Sequence, residues 1–299
     1  DSFSACLAAQ YRIINSHLAC YCLLPSSVTP SLLRLFLHGS TLFVFISSSG
    51  NTPELCETAK LLISSGFLTL SFCCNDNSLI GKIIQDTIYF IPPMKIPSPS
   101  IRTWQASLVF LYLLASTLCS KRKLPCNKLD FSIFLNPKQN LFNKTREIVN
   151  LFLKENIALI NFYDSIVFVG SRSYYGLSRY SASKVIECTG RYAFYNDLYE
   201  WRHTEHHLYP NSQIIILFTD SHSDISRIYE SSLLPCRDKR MFIIVSPLYP
   251  NIPPSSNIIN VITSSLIPSD LAPLELHLWS SLIAAKLAET YGTKLFPGR

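Results

Sequence analysis

Two stretches of this 299-residue chain hold residue types whose spacing could do chemistry. In the first, residues 41–54 read TLFVFISSSGNTPE, and an apolar, β-favouring run over 42–46 stops at Ser47-Ser48-Ser49-Gly50-Asn51-Thr52. Pro53 suits the first position of a helix, with Thr52 as its N-cap. Hydroxyls, a glycine and helix-start N–H groups then converge on one point, which is how an anion is held without a cationic side chain. The same pattern also serves as a plain strand-to-helix connector.

The second stretch, residues 181–207, reads SASKVIECTGRYAFYNDLYEWRHTEHH. Lys184 and Glu187 lie three apart and share a helix face. Glu200 and His203 have the same spacing, in a segment whose poor periodicity predicts turn or loop. A carboxylate, an imidazole and a phosphate cradle would suffice to open a sugar ring and move a proton between neighbouring carbons. An ordinary surface Lys–Glu pair has this spacing too. His203, His206 and His207 lack a carboxylate partner at helical spacing, so no metal is expected, and nothing calls for a cofactor.

The elements that must position these groups follow from the periodicity. A helix is expected over residues 1–22, with Ser2 at its positive end, and a second over 28–37. After the strand at 42–46 come a helix over 53–65, a strand over 67–74, a short helix over 78–85 and a strand over 87–91. Proline-punctuated residues 96–100 precede one long apolar helix, 101–119. The polar joint at 121–138 marks a domain boundary, and a connecting helix covers 141–156. Strands are then expected at 165–169, 213–218, 241–246 and 258–263. The turn 170–173 leads into a helix ending near 189, and residues 274–291 form the closing helix. This β-α alternation predicts an α/β protein of two doubly wound parallel sheets related by an internal repeat. In the second half, Thr219-Asp220-Ser221-His222-Ser223-Asp224 takes the place of the serine loop, and its two carboxylates are expected to repel a phosphate.

Composition sets the outer bounds. A hydrophobic share of 48% against 15% charged residues describes a globular chain with a large core. A net charge of +6 is scattered, Lys121-Arg122-Lys123 being the one basic run, so no nucleic-acid partner is expected. Ten cysteines form no C-x-x-C pair and sit in apolar surroundings, which points to buried thiols and a reduced, cytoplasmic setting. The most membrane-like stretch, residues 104–118, is shorter than the roughly 20 residues of a span, so no membrane is expected. A chain opening on Asp1 reads as part of a longer protein.

Taken together, the two stretches resemble the double sugar isomerase (SIS) domain family, which includes the isomerase part of glucosamine-6-phosphate synthase. Residues 45–54, FISSSGNTPE, are similar to the family's phosphate loop, I-S-x-S-G-x-T-x-E. Residues 1–5 look like the piece after the first strand's glycine, and residues 101–107 like the Thr-containing start of the domain-crossing helix. The family's K-x-x-E with a histidine sixteen residues later is matched by Lys184, Glu187 and His203. The resemblance implies a sugar-phosphate isomerase whose phosphate is held by Ser2, Ser47, Ser48, Ser49, Gly50, Asn51, Thr52 and Thr103. It implies that His203 assists ring opening, that Glu187 carries the proton between C1 and C2, and that Lys184 stands beside it. It also implies a homodimer in which the histidine reaches a neighbour's site. The implied domains are 1–125, lacking its first strand, a connector over 126–160, and 161–299 with a short or truncated tail. Departures are His203-Thr204-Glu205 in place of the family's His-Gly-Pro, and the lack of a tail lysine in register. Deamination or deglycation, a fragment of a glutamine-dependent aminotransferase, and a sugar-phosphate sensor without catalysis are the alternatives.

Overall fold

A computed structural model describes residues 1–92, 99–125, 141–204, 212–232, 240–248, 255–263, 267–268 and 270–294. It divides the chain into two compact units, Asp1–Asn127 and Lys128–Arg299. Each is an α/β unit of parallel strands with flanking helices.

In the first unit β1 (Leu42–Ser47), β2 (Leu68–Cys73) and β3 (Thr87–Tyr89) lie parallel in that order. Helix α3 (Pro53–Ser64) buries Cys56, Ala59 and Leu62, a three-residue stripe that joins Phe45, Cys73 and Ile80 in one core. Phe72 of β2 stacks on Phe110 of α5 (Ile101–Lys121), with ring centroids 4.5 Å apart. Helix α1 (Ser2–Asn15) packs on α5 and β1 and buries Ala5, Ala8 and Ala9.

Four expectations for this unit are corrected. Helix α1 stops at Asn15 and not at residue 22, because Ser16 Oγ donates to the Arg12 carbonyl and His17 turns to a φ of 59°. The helix expected over 28–37 is a single turn, α2 (Pro30–Leu33). Leu35 and Leu37 beyond it are 77% and 75% exposed, and without packing a short helix does not propagate. The segment expected over 78–85 is α4 (Leu79–Ile83), capped by Ser78 Oγ, which accepts from the Gly81 N–H. Finally, α5 has 21 residues, long and apolar enough to cross a bilayer, where a stretch too short for that was expected. Its fully buried stripe of Trp104, Leu108, Tyr112 and Cys119 is that of a helix packed within a protein.

The second unit holds five parallel strands in the order β5-β4-β6-β7-β8, namely β4 (Ser165–Val169), β5 (Ala193–Asn196), β6 (Gln213–Phe218), β7 (Arg240–Ser246) and β8 (Ile258–Ile262). The central strands β4 and β6 are buried at every residue, which accounts for their unbroken apolar runs. One face of the sheet, with Val167, Val169, Ile215, Leu217, Phe242 and Ile244, packs Leu198 and Trp201 of α8 (Leu198–His203). Ile225 and Ile228 of α9 (His222–Ser232) join the same core. Helix α7 (Ser173–Thr189) packs on β4, β5 and α10 (Pro273–Tyr291), and α10 packs on α6 (Leu141–Phe162).

Three elements here are additional to those expected: β5, α8 and α9. The segment around 200–203, expected to be loop, is the end of α8. Asp197 caps that helix by accepting from the Tyr199 N–H at 2.8 Å, and the fully buried Trp201 anchors it. Helix α6 continues to Phe162, six residues past its expected end at 156.

Candidate functional site

The serine loop leaves β1 at Ser47 and enters α3 at Pro53. Its carbonyls are bound behind it, to the segment after β2. The Ser48 carbonyl accepts from the Cys74 N–H at 3.1 Å and the Gly50 carbonyl from the Ile80 N–H at 2.9 Å. The Ser49 carbonyl accepts from Asn75 Nδ2 at 3.1 Å. Asn51 adds a fourth tie, its Oδ1 accepting from the Leu79 N–H at 2.9 Å. Three successive acceptors are thus engaged, and the opposite side of the loop is left to donors.

Those donors are the serine hydroxyls. The Gly50 N–H, expected to hold an anion directly, donates instead to Ser47 Oγ at 2.9 Å, and the Asn51 N–H donates to Ser49 Oγ at 3.3 Å. A serine oxygen that accepts a bond still carries a proton to give, so each backbone N–H fixes a hydroxyl donor. Thr52 starts α3 but makes no side-chain cap bond, which leaves the positive end of a 12-residue helix without that cap. Ser47 is buried, Ser48 half-buried, and Ser49, Asn51 and Thr52 are exposed.

Gly50 is required in this turn. Its φ is +64°, and an added Cβ would lie 2.5 Å from Ser78 Cβ and 2.6 Å from Cys73 Sγ. Ser2 is the first residue of α1, half-buried and without a cap bond from Asp1. Thr103 is committed locally, donating its hydroxyl to the Ser100 carbonyl at 3.0 Å, so its oxygen faces a ligand only as an acceptor.

In the second unit the register of α7 brings Lys184 and Glu187 together. Lys184 is fully buried, its Nζ 2.6 Å from Glu187 Oε2 and 5.1 Å from the centre of the Tyr180 ring. Burial pushes the Lys184 pKa down, and the bond to Glu187 works in the opposite direction. The Glu187 side chain keeps 27% exposure, so one carboxylate oxygen is held while the group still meets solvent. A surface pair would have left the lysine in water, and this one is inside. His203, the last residue of α8, is exposed, and among the described residues no hydrogen bond or ion pair links it to Lys184 or Glu187. Glu205, His206 and His207 lie outside the described residues. Among the described residues no cluster of histidine, cysteine or carboxylates has the geometry of a metal site.

Sequence alone does not reveal the part played by Asn75 and Ile80, which tie the loop back from 26 and 30 residues away. An Asn-Asp-Asn run after β2 was the available signal, since such residues bond to neighbouring backbone. Nor does sequence alone give a role to Ser171, Ser173 and Tyr174, at the turn between β4 and α7.

No family model matches the chain, and no curated protein matches its sequence. Solved structures do match its fold. The C-terminal domain of glucosamine-fructose-6-phosphate aminotransferase from Francisella tularensis superimposes with a TM-score of 0.76 at 16% identity, over 99% of this chain and 83% of that one. Glucosamine-6-phosphate deaminase from Thermotoga maritima gives a TM-score of 0.70 at 16% identity, over 99% and 85%. Tagatose-6-phosphate ketose/aldose isomerase from Escherichia coli gives 0.67 at 16% identity, over 100% and 82%. At such identity the likeness is one of fold.

Proposed function

We propose that this chain is a sugar-phosphate isomerase of the SIS type, its two units being two SIS domains, with an amino sugar or ketose 6-phosphate as substrate. The observation that carries the reading is the serine loop. Its acceptors are turned back into the fold, its hydroxyls are held as donors, and the start of α3 lies behind them. A phosphate needs that polarity. Three of the solved structures similar to this chain belong to proteins named for amino-sugar and sugar-phosphate chemistry, which supports the same reading.

In this mechanism Ser2, Ser47, Ser48, Ser49 and Thr52 donate to the phosphate, around the turn made by Gly50 and Asn51. Thr103 lies at the start of α5 and accepts from a substrate hydroxyl. His203, supplied by a second copy of the chain, protonates the ring oxygen as the ring opens. Glu187 then takes a proton from C1 of the ketose or C2 of the aldose and returns it to the neighbouring carbon. Lys184 Nζ holds one oxygen of that carboxylate, and the other is left for the carbon-bound proton.

The test is exchange of the C1 and C2 hydrogens of fructose 6-phosphate or glucosamine 6-phosphate in deuterated water. Glu187→Gln keeps shape and hydrogen bonding but takes no proton. Its exchange rate should fall about a hundredfold or more, with binding retained. Full exchange by the Gln variant would remove Glu187 from the mechanism. Binding without exchange by the unaltered protein would make it a sensor.

A further inference from the structure

The second unit carries a cluster of buried donors that the proposed chemistry does not use. Strand β4 runs into α7 through Gly170-Ser171-Arg172-Ser173. The chain goes from β4 to β5 on one side and then returns to β6 on the other, so this turn stands at the reversal of strand order. At that position parallel sheets leave a crevice beyond their carboxyl ends.

Three hydroxyls here are buried and have no hydrogen-bond partner among the described residues: Ser171 Oγ, Ser173 Oγ and Tyr174 Oη, on residues 6%, 2% and 3% exposed. Buried hydroxyls are nearly always paired, so three exceptions within four residues call for a physical reason. Arg172, between the two serines, holds φ 59° and ψ −126°, a conformation native to glycine, and no side chain caps α7. Its guanidinium meets Asp220, after β6, at 3.9 Å, the long end of an ion pair. The N–H groups of Tyr174 and Tyr175 bond within the turn, so the donors on offer are side chains.

We propose that this turn is a second anion site, in which Arg172 leaves Asp220 to bind a single phosphate group together with Ser171, Ser173 and Tyr174. Every one of these groups can donate, and a phosphate would accept from all of them. The positive end of the 17-residue helix α7 adds to the attraction. Asp220, Asp270 and Glu275 also lie within electrostatic reach of the Tyr174 hydroxyl. The Glu275 carboxyl is bonded to Thr145 and burial pushes its pKa up to about 7, so its charge is only partly present at neutral pH. In the absence of phosphate, Asp220 is the acceptor that Arg172 faces.

The site is independent of the serine loop, and calorimetry of the full chain with inorganic phosphate separates the two. The unaltered protein should bind two equivalents. Arg172→Gly, which suits the backbone conformation, should lose one of them and keep the other. Ser171→Ala with Ser173→Ala should weaken the same event at least tenfold without lowering the melting temperature in the absence of phosphate. Ser49→Ala with Thr52→Ala should remove the opposite event. If Arg172→Gly and the Ser171/Ser173 pair both bind phosphate as the parent does, this second site does not exist, whatever happens at the serine loop. A single equivalent lost with Arg172→Gly would instead uphold this site and sink the serine cradle.

Discussion

Gly50 shows how much of the serine loop rests on one residue. A side chain there must adopt a positive φ, which costs an L-residue about 1–2 kcal/mol. Its Cβ must also displace Ser78, Cys73 and Ile80, all within 2.8 Å of it. Overpacking of that kind costs about 1–3 kcal/mol more. Gly50→Ala should therefore destabilise the chain by about 2–5 kcal/mol in urea unfolding. Phosphate binding should fall as well, because the Ser47 hydroxyl loses the N–H that fixes it. A variant as stable as the parent would show that the turn is free to rearrange. The same scale explains Lys184. A fully buried ammonium needs a close anionic partner, and Glu187 at 2.6 Å supplies it.

At the scale of elements, α6 and α10 are joined by a buried hydrogen bond from Thr145 to Glu275, at 2.5 Å. Two residues on, His277 is fully buried beside the rings of Phe142 and Tyr180. Burial acts on the two groups in opposite directions. It raises the Glu275 pKa to about 7, with the Thr145 bond opposing, and it lowers the His277 pKa to about 4. Glu275 therefore contributes stability that is complete below pH 4.5 and is lost as the pH rises through 7. His277 contributes stability that is complete above pH 6.5 and is lost as the pH falls through 4. Each effect is on the order of 3 kcal/mol, and between pH 4.5 and 6.5 they nearly cancel. Glu275→Gln should uncover the His277 effect alone, a protein that loses stability steadily from pH 6.5 to 4. Chemical denaturation at four pH values measures this, and a profile parallel to the parent's would refute the raised carboxyl.

For the molecule as a whole, the proposed mechanism takes His203 from a second chain. In sequence, α5 and α10 are apolar around more of their circumference than a surface helix needs, which is one reason to expect that copy. The structure weakens the second half of it. Helix α10 buries Leu274, Leu276, Trp279, Ile283, Ala284 and Leu287 within its own unit, against α7 and α6. Helix α5 keeps Leu113 48% exposed. His203 is exposed at the end of α8. Mixing inactive Glu187→Gln with inactive His203→Ala should restore part of the exchange activity, since a mixed dimer holds one intact site. No recovery on mixing, or a monomer by light scattering at micromolar concentration, would exclude the shared site.

Where the chain's own pattern was strong, it sufficed. The runs at 42–46, 165–169 and 213–218 are dense in β-branched and aromatic residues, the mark of buried parallel strands; β4 and β6 are buried throughout, whereas β1 is buried only from Phe45 to Ser47. Thr52 and Pro53 marked the start of α3 for an equally local reason. Strand β5 and helix α8 are four and six residues long, too short for periodicity to register, and their stability comes from β4 and the core around Trp201. Tertiary structure alone decided which way the serine loop faces, because its carbonyls answer to Cys74, Asn75 and Ile80. It alone buried the Lys184 end of the Lys184–Glu187 pair and left three hydroxyls beside Arg172 without partners among the described residues. A spacing of three residues states that two side chains share a helix face. Whether that face meets water is set by elements distant in the chain, α10 in this case.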